Sequence, residues 1–255
     1  MESLKKGKFY CGTSNVELPV PNKTFFPPEF QDKSRLNYYA SLYNTVEINR
    51  SFYAIPQGKT LAKWAADVPG NFRFTLKLWK GITHVPELMY NKEDVEKFMS
   101  VINHIGDKKG CLLVQFPASI KASLISRLKN LLDDIAHYNT NGWNVVIEFR
   151  DNSWYNDRVY QLLETYKASV VLHDIPKSRT PMIDMDSDVV YLRFHGERGD
   201  YRGGYEEDVL RDYAYLIADW AEQGKDVYAY FNNTIGEAVH NAVSLYGHYK
   251  DIAEE

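Results

Sequence analysis

The segment Asn144–Arg150 alternates strictly between two faces, as a β-strand does, because successive side chains of a strand point to opposite sides. One face is apolar throughout. The other face begins with Val146 and becomes charged only at its C-terminal end, at Glu148 and Arg150. A strand that is apolar at its base and charged at its end is typical of the inner wall of a closed parallel barrel, whose functional residues gather at the C-terminal rim.

Seven further segments resemble strands, and most are followed by an amphipathic helical segment. The eight predicted strands are 8–14, 45–50, 72–79, 111–117, 144–150, 169–174, 189–196 and 226–233. Alternating strands and helices form either a doubly wound sheet or a barrel. The count of eight, and the polar residues at the end of almost every strand, favour an α/β fold of the TIM type, a (β/α)8 barrel. Residues 175–188 contain two prolines and no helical period, so the sixth helix is predicted to be reduced or missing.

Length and composition agree with this prediction. A chain of 255 residues suits one barrel, which typically takes about 250, so residues 1–255 are predicted to form a single barrel domain. Apolar residues make up 44% and charged residues 25%, which is ordinary for a folded protein with a substantial core. The net charge of −4 argues against a surface built mainly for nucleic acid, although it leaves room for a local basic patch.

The expected location is cytoplasmic. Cys11 and Cys111 lie in apolar, strand-like segments without metal-ligand spacing, so both are expected to stay reduced. Residues 1–8 include lysines but no following apolar segment, so no secretory signal is expected. No apolar run approaches 18 residues, so neither a membrane span nor a membrane partner is expected.

Several short motifs lie at or just after the predicted strands. They are Tyr10–Ser14, Asn44–Asn49, Phe52–Tyr53, Ile82–His84, Gln115–Pro117, Glu148–Arg150, Ser153–Trp154, Asp174–Pro176, Tyr191–Gly196 and Tyr230–Asn233. In this order, and along essentially the whole chain, they resemble the domain-of-unknown-function 72 (YecE-like) family. The resemblance implies a TIM-type barrel, and it does not imply a particular reaction.

In such a barrel, the inward-facing side chains nearest the strand ends would meet at one mouth. They are Glu47, Asn49, Lys77, Gln115, Glu148, Arg150, Arg193, His195, Tyr230 and Asn232. Burying a charged group alone costs several kcal/mol, so these charges form either a structural ion network or a functional site. We favour a functional site, because a purely structural network can often be replaced by aliphatic residues and because this fold carries its active sites here.

The charges of this set predict an anion-binding mouth. Lys77, Arg150 and Arg193 outnumber the two carboxylates, and His195 could add a fourth positive charge near neutral pH. Arginine suits phosphate or carboxylate because it donates paired hydrogen bonds. The glycine- and arginine-containing loop 196–204 and the segment 232–236 add support, because they follow strands seven and eight, where barrels often bind phosphate.

The candidate catalytic residues are Glu47, Lys77, Glu148 and His195. His195 with Glu47 or Glu148 could transfer protons if their pKa values are pushed apart. Lys77 could stabilise developing negative charge or, as a less favoured alternative, form a Schiff base. The candidate substrate-binding residues are Asn49, Tyr53, His84, Gln115, Arg150, Asp174, Arg193, Tyr230 and Asn232.

No cofactor is predicted, although a divalent metal is left open. Its ligands would come from Glu47, Glu148, His173, Asp174 and His195, and the Lys and Arg residues between them argue against it. The chain shows no G-x-G-x-x-G after a strand, no Walker A loop, no G-x-S-x-G and no H-E-x-x-H. The usual signs of a nucleotide cofactor, a P-loop, a serine hydrolase or a zincin are therefore missing.

The favoured function is an enzyme, a hydrolase or lyase without a redox cofactor, that acts on a small anionic, phosphorylated substrate by general acid–base chemistry. One alternative is a glycoside hydrolase that uses Glu47 and Glu148, which are expected to lie far enough apart for inversion. Another is a nucleic-acid-binding or nuclease-like barrel, or a non-catalytic binding protein, that uses loop 196–204 with Lys80 and His84. The oligomeric state is left open.

Overall fold

The computed structural model describes residues 5–183 and 185–254, so the first four residues, on which the signal-peptide expectation partly depends, lie outside the described part. The predicted TIM-type barrel is confirmed. Its strands are β1 (Phe9–Thr13), β2 (Thr45–Ile48), β3 (Arg73–Lys77), β4 (Lys109–Gln115), β5 (Asn144–Glu148), β6 (Ser169–His173), β7 (Val189–Phe194) and β8 (Asp226–Phe231). All neighbouring strands pair in parallel, in the order β1-β8-β7-β6-β5-β4-β3-β2.

The barrel closes between β1 and β2 through a seam that is sparser than the other ladders. A single parallel bridge joins Ser14 to Glu47, and the Asn15 amide donates to the Glu47 carbonyl at 2.7 Å. Below it, the Asn44 side chain accepts from the Cys11 amide at 2.9 Å and donates to the carbonyl of Phe9 at 2.8 Å. The seam therefore depends on a side-chain amide as well as on backbone pairing.

Helices alternate with the strands and surround them. They are α1 (Arg35–Leu42), α2 (Arg50–Tyr53), α3 (Gly58–Ala66), α4 (Lys80–Thr83), α5 (Lys92–Ile102), α6 (Ile125–Tyr138), α7 (Asp157–Thr165), α8 (Glu207–Glu222) and α9 (Ala238–Glu254). Ser34 caps the N-terminus of α1, because its hydroxyl accepts from the Asn37 amide at 2.9 Å. Between β6 and β7, the described residues form only one helical turn, the 3-10 turn Pro176–Ser178. Within the described part, none of the helices has the length and apolar character needed to cross a bilayer.

The hydrophobic core has two layers, because the strands of a barrel bury both of their faces. The outer layer lies between the strands and the helices and includes Phe149 and Ile147 of the β5 region. The inner layer fills the barrel itself with Tyr10, Cys111, Leu113, Val146, Val171, Val189, Tyr191, Tyr228 and Tyr230. The predicted inward position of Val146 agrees with this arrangement. Above the inner layer, the strand ends carry the polar side chains that form the candidate site.

Candidate functional site

The C-terminal mouth of the barrel contains a cavity of about 550 Å³, called the mouth cavity below. It is lined by Asn15, Asn49, Arg50, Phe52, Tyr53, Lys77, Gln115, Arg150, Arg193, Tyr201 and Asn232. Four of these side chains are basic, and none of the described residues that line the cavity is a carboxylate. The wall of the cavity is therefore electropositive although the protein carries a net charge of −4.

Glu47, at the end of β2, is fully buried and lies beneath this wall. Arg193 binds both carboxylate oxygens of Glu47, with Nε 3.0 Å from Oε2 and Nη2 2.8 Å from Oε1. The hydroxyls of Ser14 and Tyr191 donate to the same two oxygens, each at 2.6 Å. Burial opposes ionisation of Glu47, but the charge of Arg193 and these hydrogen bonds outweigh burial, so the pKa of Glu47 is lowered.

Glu148, at the end of β5, is also fully buried and shares the same arginine. Its Oε2 accepts from Arg193 Nη1 at 2.5 Å, and its Oε1 is paired with Arg150 Nε. Burial again opposes ionisation, but the positive charges of Arg150 and Arg193 outweigh it and hold the pKa of Glu148 well below its usual range. Both carboxylates are therefore ionised and neutralised at neutral pH, and they are unsuited to donate a proton.

His195 follows β7 and is held as a neutral imidazole. Its Nε2 faces two guanidinium groups, Arg193 Nη1 and Arg150 Nη2, each at 3.2 Å. Arginine can only donate, so Nε2 must accept and Nδ1 carries the proton, which it donates to Asp174 Oδ1 at 3.1 Å. Burial and the two nearby arginines lower the pKa of His195 to about 4, although Asp174 opposes this shift. The hypothesis that His195 adds a positive charge near neutral pH is therefore corrected.

Asp174, whose orientation the sequence left open, turns toward His195. Besides Nδ1, the backbone amide of His195 donates to Asp174 Oδ1 at 2.9 Å, and the Tyr205 hydroxyl donates to Oδ2. Tyr205 in turn accepts from the Gly196 amide at 2.6 Å. Asp174 therefore fixes the tautomer and the orientation of His195, and it does not line the mouth cavity.

Lys77, at the end of β3, differs from the other buried charges. Its side chain is only 9% exposed, and its Nζ lies 4.3 Å from the centroid of the Phe52 ring. Within the described chain, this ammonium group makes no hydrogen bond or ion pair, because the nearby carboxylates are bound by arginines. Burial and the charge of Arg193 lower the pKa of Lys77 to about 8. Lys77 can therefore take up or release a proton close to neutral pH.

Besides Asp174, two of the predicted substrate-binding residues do not line the mouth cavity. Tyr230 is fully buried in the inner core, where its hydroxyl bonds to Thr45 Oγ1 at 2.5 Å and to Thr75 Oγ1 at 2.9 Å. It faces inward as predicted but lies too deep to contact a substrate. His84 lies at the rim, with its ring 4.8 Å from that of Phe52. Partial burial, followed by the charges of Lys77 and Arg150, lowers the pKa of His84 to about 4.

The other predicted residues are brought together in two levels. Asn49, Tyr53, Lys77, Gln115, Arg150, Arg193 and Asn232 line the mouth cavity. Glu47, Glu148, His195 and Asp174 lie directly beneath it and are bonded to the arginines or to one another.

Four of the residues that line the mouth cavity were not predicted from the sequence: Asn15, Arg50, Phe52 and Tyr201. Strict alternation places Arg50 outside the barrel, but β2 ends at Ile48 and the short helix α2 turns Arg50 toward the mouth. Asn15 adopts φ +65°, which ends the strand pattern abruptly. The sequence signal for this change of direction was the asparagine after Ser14, since asparagine tolerates positive φ better than most residues.

The donor set does not suit a divalent metal. No group of three or more His, Cys, Asp or Glu side chains in residues 5–183 and 185–254 is arranged to hold one. Of the five candidate ligands, Glu47 and Glu148 bind guanidinium groups, and the Nε2 atom of His195 faces two of them. His173 Nε2 lies 2.9 Å from the carbonyl oxygen of Phe149. The Arg193 guanidinium thus occupies the position between the carboxylates where a cation would be held.

Comparisons with known proteins agree on one family. The family model described as "Protein of unknown function DUF72" matches residues 10–253. The protein YunF of Bacillus subtilis, of the UPF0759 group, is 26% identical over 249 residues, which cover 84% of this chain and 85% of YunF. The crystal structure of a DUF72 family protein from Enterococcus faecalis superposes with a TM-score of 0.79 at 24% identity, covering 95% of each chain.

The same fold is found in a solved enzyme structure. The E. coli 3-keto-D-glucoside 4-epimerase YcjR superposes with a TM-score of 0.53 at 12% identity, covering 96% of this chain and 100% of the epimerase. This level of identity indicates a shared barrel and carries no information about the substrate.

Proposed function

The chain belongs to the DUF72 family of proteins of unknown function, and from the geometry of its mouth cavity we propose that it is an enzyme acting on a small anionic, phosphorylated substrate. The observation that carries this proposal is a cavity wall with four basic side chains and no carboxylate among the described residues. The volume of about 550 Å³ is in the range of small-molecule sites.

The balance of charges supports an anionic ligand. Beneath the wall, the carboxylates of Glu47 and Glu148 are neutralised by direct ion pairs with the two arginines that bind them, Arg193 and Arg150. Arg50 and Lys77, which line the same cavity, make no ion pair in the described part of the chain. An anion in the mouth cavity would therefore meet two cations that no protein carboxylate already satisfies.

Lys77 is the proposed proton-transfer group. Arginine does not lose its proton in proteins, and the buried carboxylates are held in their ionised form. The pKa of Lys77, lowered to about 8 first by burial and then by Arg193, lies close to the range that suits a general base at neutral pH. Arg50 and Arg150, which line the same cavity, would stabilise negative charge that develops on the substrate.

A phosphorylated substrate is favoured by the position of the polar groups. Tyr201 and Asn232 reach the mouth cavity from the segments after β7 and β8, where barrels often bind phosphate. Arg50 faces the cavity from α2 and carries no ion pair within the described chain. A phosphate group bound near these residues would lie in the same cavity as Lys77.

The glycosidase alternative has weaker support. A glycoside hydrolase needs one carboxyl group that holds a proton, whereas the pKa values of Glu47 and Glu148 are both lowered by the arginines that outweigh their burial. Both groups also lie beneath the cavity wall. A neutral sugar would therefore meet arginine and lysine side chains before it met either carboxylate.

Ligand-induced stabilisation tests the binding step. We expect sugar phosphates to raise the melting temperature in the presence of a chelator, because a ligand at a hundred times its dissociation constant adds about 2.7 kcal/mol to the stability. Neutral oligosaccharides and short oligonucleotides at the same concentration should have little effect. The Arg50→Gln variant should show a clearly smaller shift, and Lys97→Gln, on the outer face of α5, should keep it. Stabilisation by neutral sugars alone would overturn the proposal in favour of a glycosidase.

Turnover tests the chemical step. A stabilising phosphate compound is incubated with the enzyme in deuterated water and followed by NMR for exchange or conversion. Lys77→Arg should abolish the change while binding persists, and the wild-type rate should rise as the pH passes through about 8. Unchanged turnover in Lys77→Arg would exclude Lys77 as the proton-transfer group.

A further inference from the structure

We infer that Lys77 acts as a nucleophile that forms a Schiff base with the carbonyl group of a small anionic substrate. The inference rests on the anion site proposed above and deepens it by naming the substrate class: carbonyl compounds that carry a nearby carboxylate or phosphate group. In it, the neutral amine of Lys77 bonds to the substrate, and this covalent role takes the place of the proton-transfer role given above.

The geometry separates Lys77 from an ordinary structural lysine. A buried lysine usually has a carboxylate partner, but Glu47 and Glu148 are already bound by Arg193 and Arg150. The Lys77 amine consequently has no ion pair or hydrogen bond in the described chain, while it still lines the mouth cavity. The Phe52 ring covers one side of it at 4.3 Å. A lone amine in a desolvated pocket beside other cations is the arrangement that activates lysine as a nucleophile.

The surrounding cations determine which carbonyl compounds fit. Arg50 lines the same cavity as Lys77 without an ion pair in the described chain and would bind the anionic group of the substrate, with Arg150 beside it. Arg193 is already bonded to Glu47 and Glu148. A carbonyl compound without a negative charge would lack these contacts. The lowered pKa of Lys77, about 8 through burial and the neighbouring Arg193, supports the same assignment, because the neutral amine is the attacking form.

The step needs no oxidant, reductant or cofactor. The amine lone pair attacks the carbonyl carbon, and the carbonyl π electrons move to oxygen. One N–H proton of the attacking amine then passes to that oxygen through solvent, which gives a neutral carbinolamine. Loss of that oxygen as water forms the C=N bond, so one amine and one carbonyl yield one imine and one water. The protonated imine withdraws electrons from the neighbouring carbon, which makes a bond at that carbon easier to break. Water reverses the reaction and releases the product.

Reductive trapping tests the inference directly. The wild-type protein is treated with sodium borohydride in the presence of pyruvate or dihydroxyacetone phosphate, and the modified residue is located by peptide mass spectrometry. We expect Lys77 to be labelled roughly tenfold or more above the exposed lysines, since an ordinary lysine near pH 8 is almost fully protonated. If only pyruvate labels Lys77, the substrate carries a carboxylate. If only dihydroxyacetone phosphate labels Lys77, the substrate carries a phosphate group.

Three controls make the result decisive. Lys77→Arg should lose the adduct, and Lys97→Arg, a change on the exposed face of α5, should keep it. Acetone, which has a carbonyl but no charge, should label Lys77 weakly. Labelling spread evenly over surface lysines, or absent from Lys77, would overturn the Schiff base. If sugar phosphates still stabilise the protein in that case, the anion site proposed above survives without it.

Discussion

Lys77 carries a buried charge that no carboxylate balances in the described chain. The other buried charges of the mouth are matched, since Arg193 joins Glu47 to Glu148. Lys77 has no such partner in the described chain, and burial, with the charge of Arg193, lowers its pKa from 10.5 to about 8. A charge that costs stability and lies in a cavity is more readily explained by function than by folding.

Replacing Lys77 with methionine should therefore stabilise the protein. Methionine keeps a similar volume without the charge, and lowering a pKa from 10.5 to about 8 corresponds to at most about 3 kcal/mol. We expect Lys77→Met to gain roughly 1–3 kcal/mol in urea unfolding at about pH 7. Catalytic turnover should be lost at the same time.

The pH dependence of this gain has a defined sign. Between pH about 8 and 10.5, the unfolded chain binds a proton that the folded protein does not, so wild-type stability rises with pH across that window. The advantage of Lys77→Met should accordingly shrink between about pH 7 and about pH 10. Lys97→Met, at an exposed position, should stay within about 0.5 kcal/mol of the wild type throughout. A Lys77→Met protein less stable than the wild type at neutral pH would indicate that the lysine is structural.

The seam between β1 and β2 is the element that closes the barrel and positions Glu47. Its strands approach closely at Gly12, where an added Cβ would lie 2.2 Å from the carbonyl oxygen of Thr45. The Tyr39 hydroxyl lies on the same side and accepts from the Thr13 amide at 2.8 Å. A side chain at position 12 would therefore push the two strands apart.

Gly12→Ala should destabilise the protein by about 2–3 kcal/mol, because the clash is with backbone and cannot be relieved by a rotamer change. Gly70→Ala is the matched control, since an added Cβ there meets nothing within 4 Å. Its free energy of unfolding should change by no more than about 0.5 kcal/mol. Chemical denaturation of both variants checks the prediction, and equal stabilities would show that the seam can relax.

Strand periodicity predicted the inward faces correctly, because alternation is a local property of the backbone. From it we predicted that Glu47, Glu148 and Arg193, which are far apart in sequence, would meet at the mouth, and in the structure Arg193 bonds to both carboxylates. It failed where strands end, since the turn into α2 that directs Arg50 inward is not part of any alternating pattern. Periodicity also does not show how deep in the barrel a side chain lies. Tyr230 faces inward as predicted, but its hydroxyl bonds to Thr45 and Thr75 in the inner core.

Across the whole molecule, basic side chains line the mouth cavity, whereas the carboxylates of Glu47 and Glu148 are buried beneath it. The chain carries a net charge of −4, yet the mouth cavity is lined by four basic residues. Counting charges in the sequence predicted a positive mouth, but it could not assign the pairs. Those pairs depend on three-dimensional contacts, such as the two arginines that keep His195 neutral. We propose that the chain forms a single domain, which is this barrel.

Such a separation predicts that anion binding depends on ionic strength. Salt screens exposed charges over a distance of about 10 Å at about 0.1 M, whereas the buried pairs of Arg193 are screened much less. Inorganic phosphate should therefore bind the mouth several-fold more weakly when potassium chloride is raised from about 0.05 to about 0.5 M, while the fold stays intact. Calorimetric titration measures the affinity, and circular dichroism checks the fold at each salt concentration.

Arg50 should account for much of this salt dependence, because it is exposed, lines the cavity and has no ion pair in the described chain. Arg50→Gln should lower the affinity for phosphate several-fold at low salt and reduce the salt slope. Lys97→Gln removes the same charge from the outer face of α5 and should leave both quantities unchanged, since a distant exposed charge is screened. Equal losses in the two variants would mean that phosphate responds to the net charge of the protein rather than to the mouth. An affinity independent of salt would mean that exposed charges such as Arg50 do not hold the bound anion.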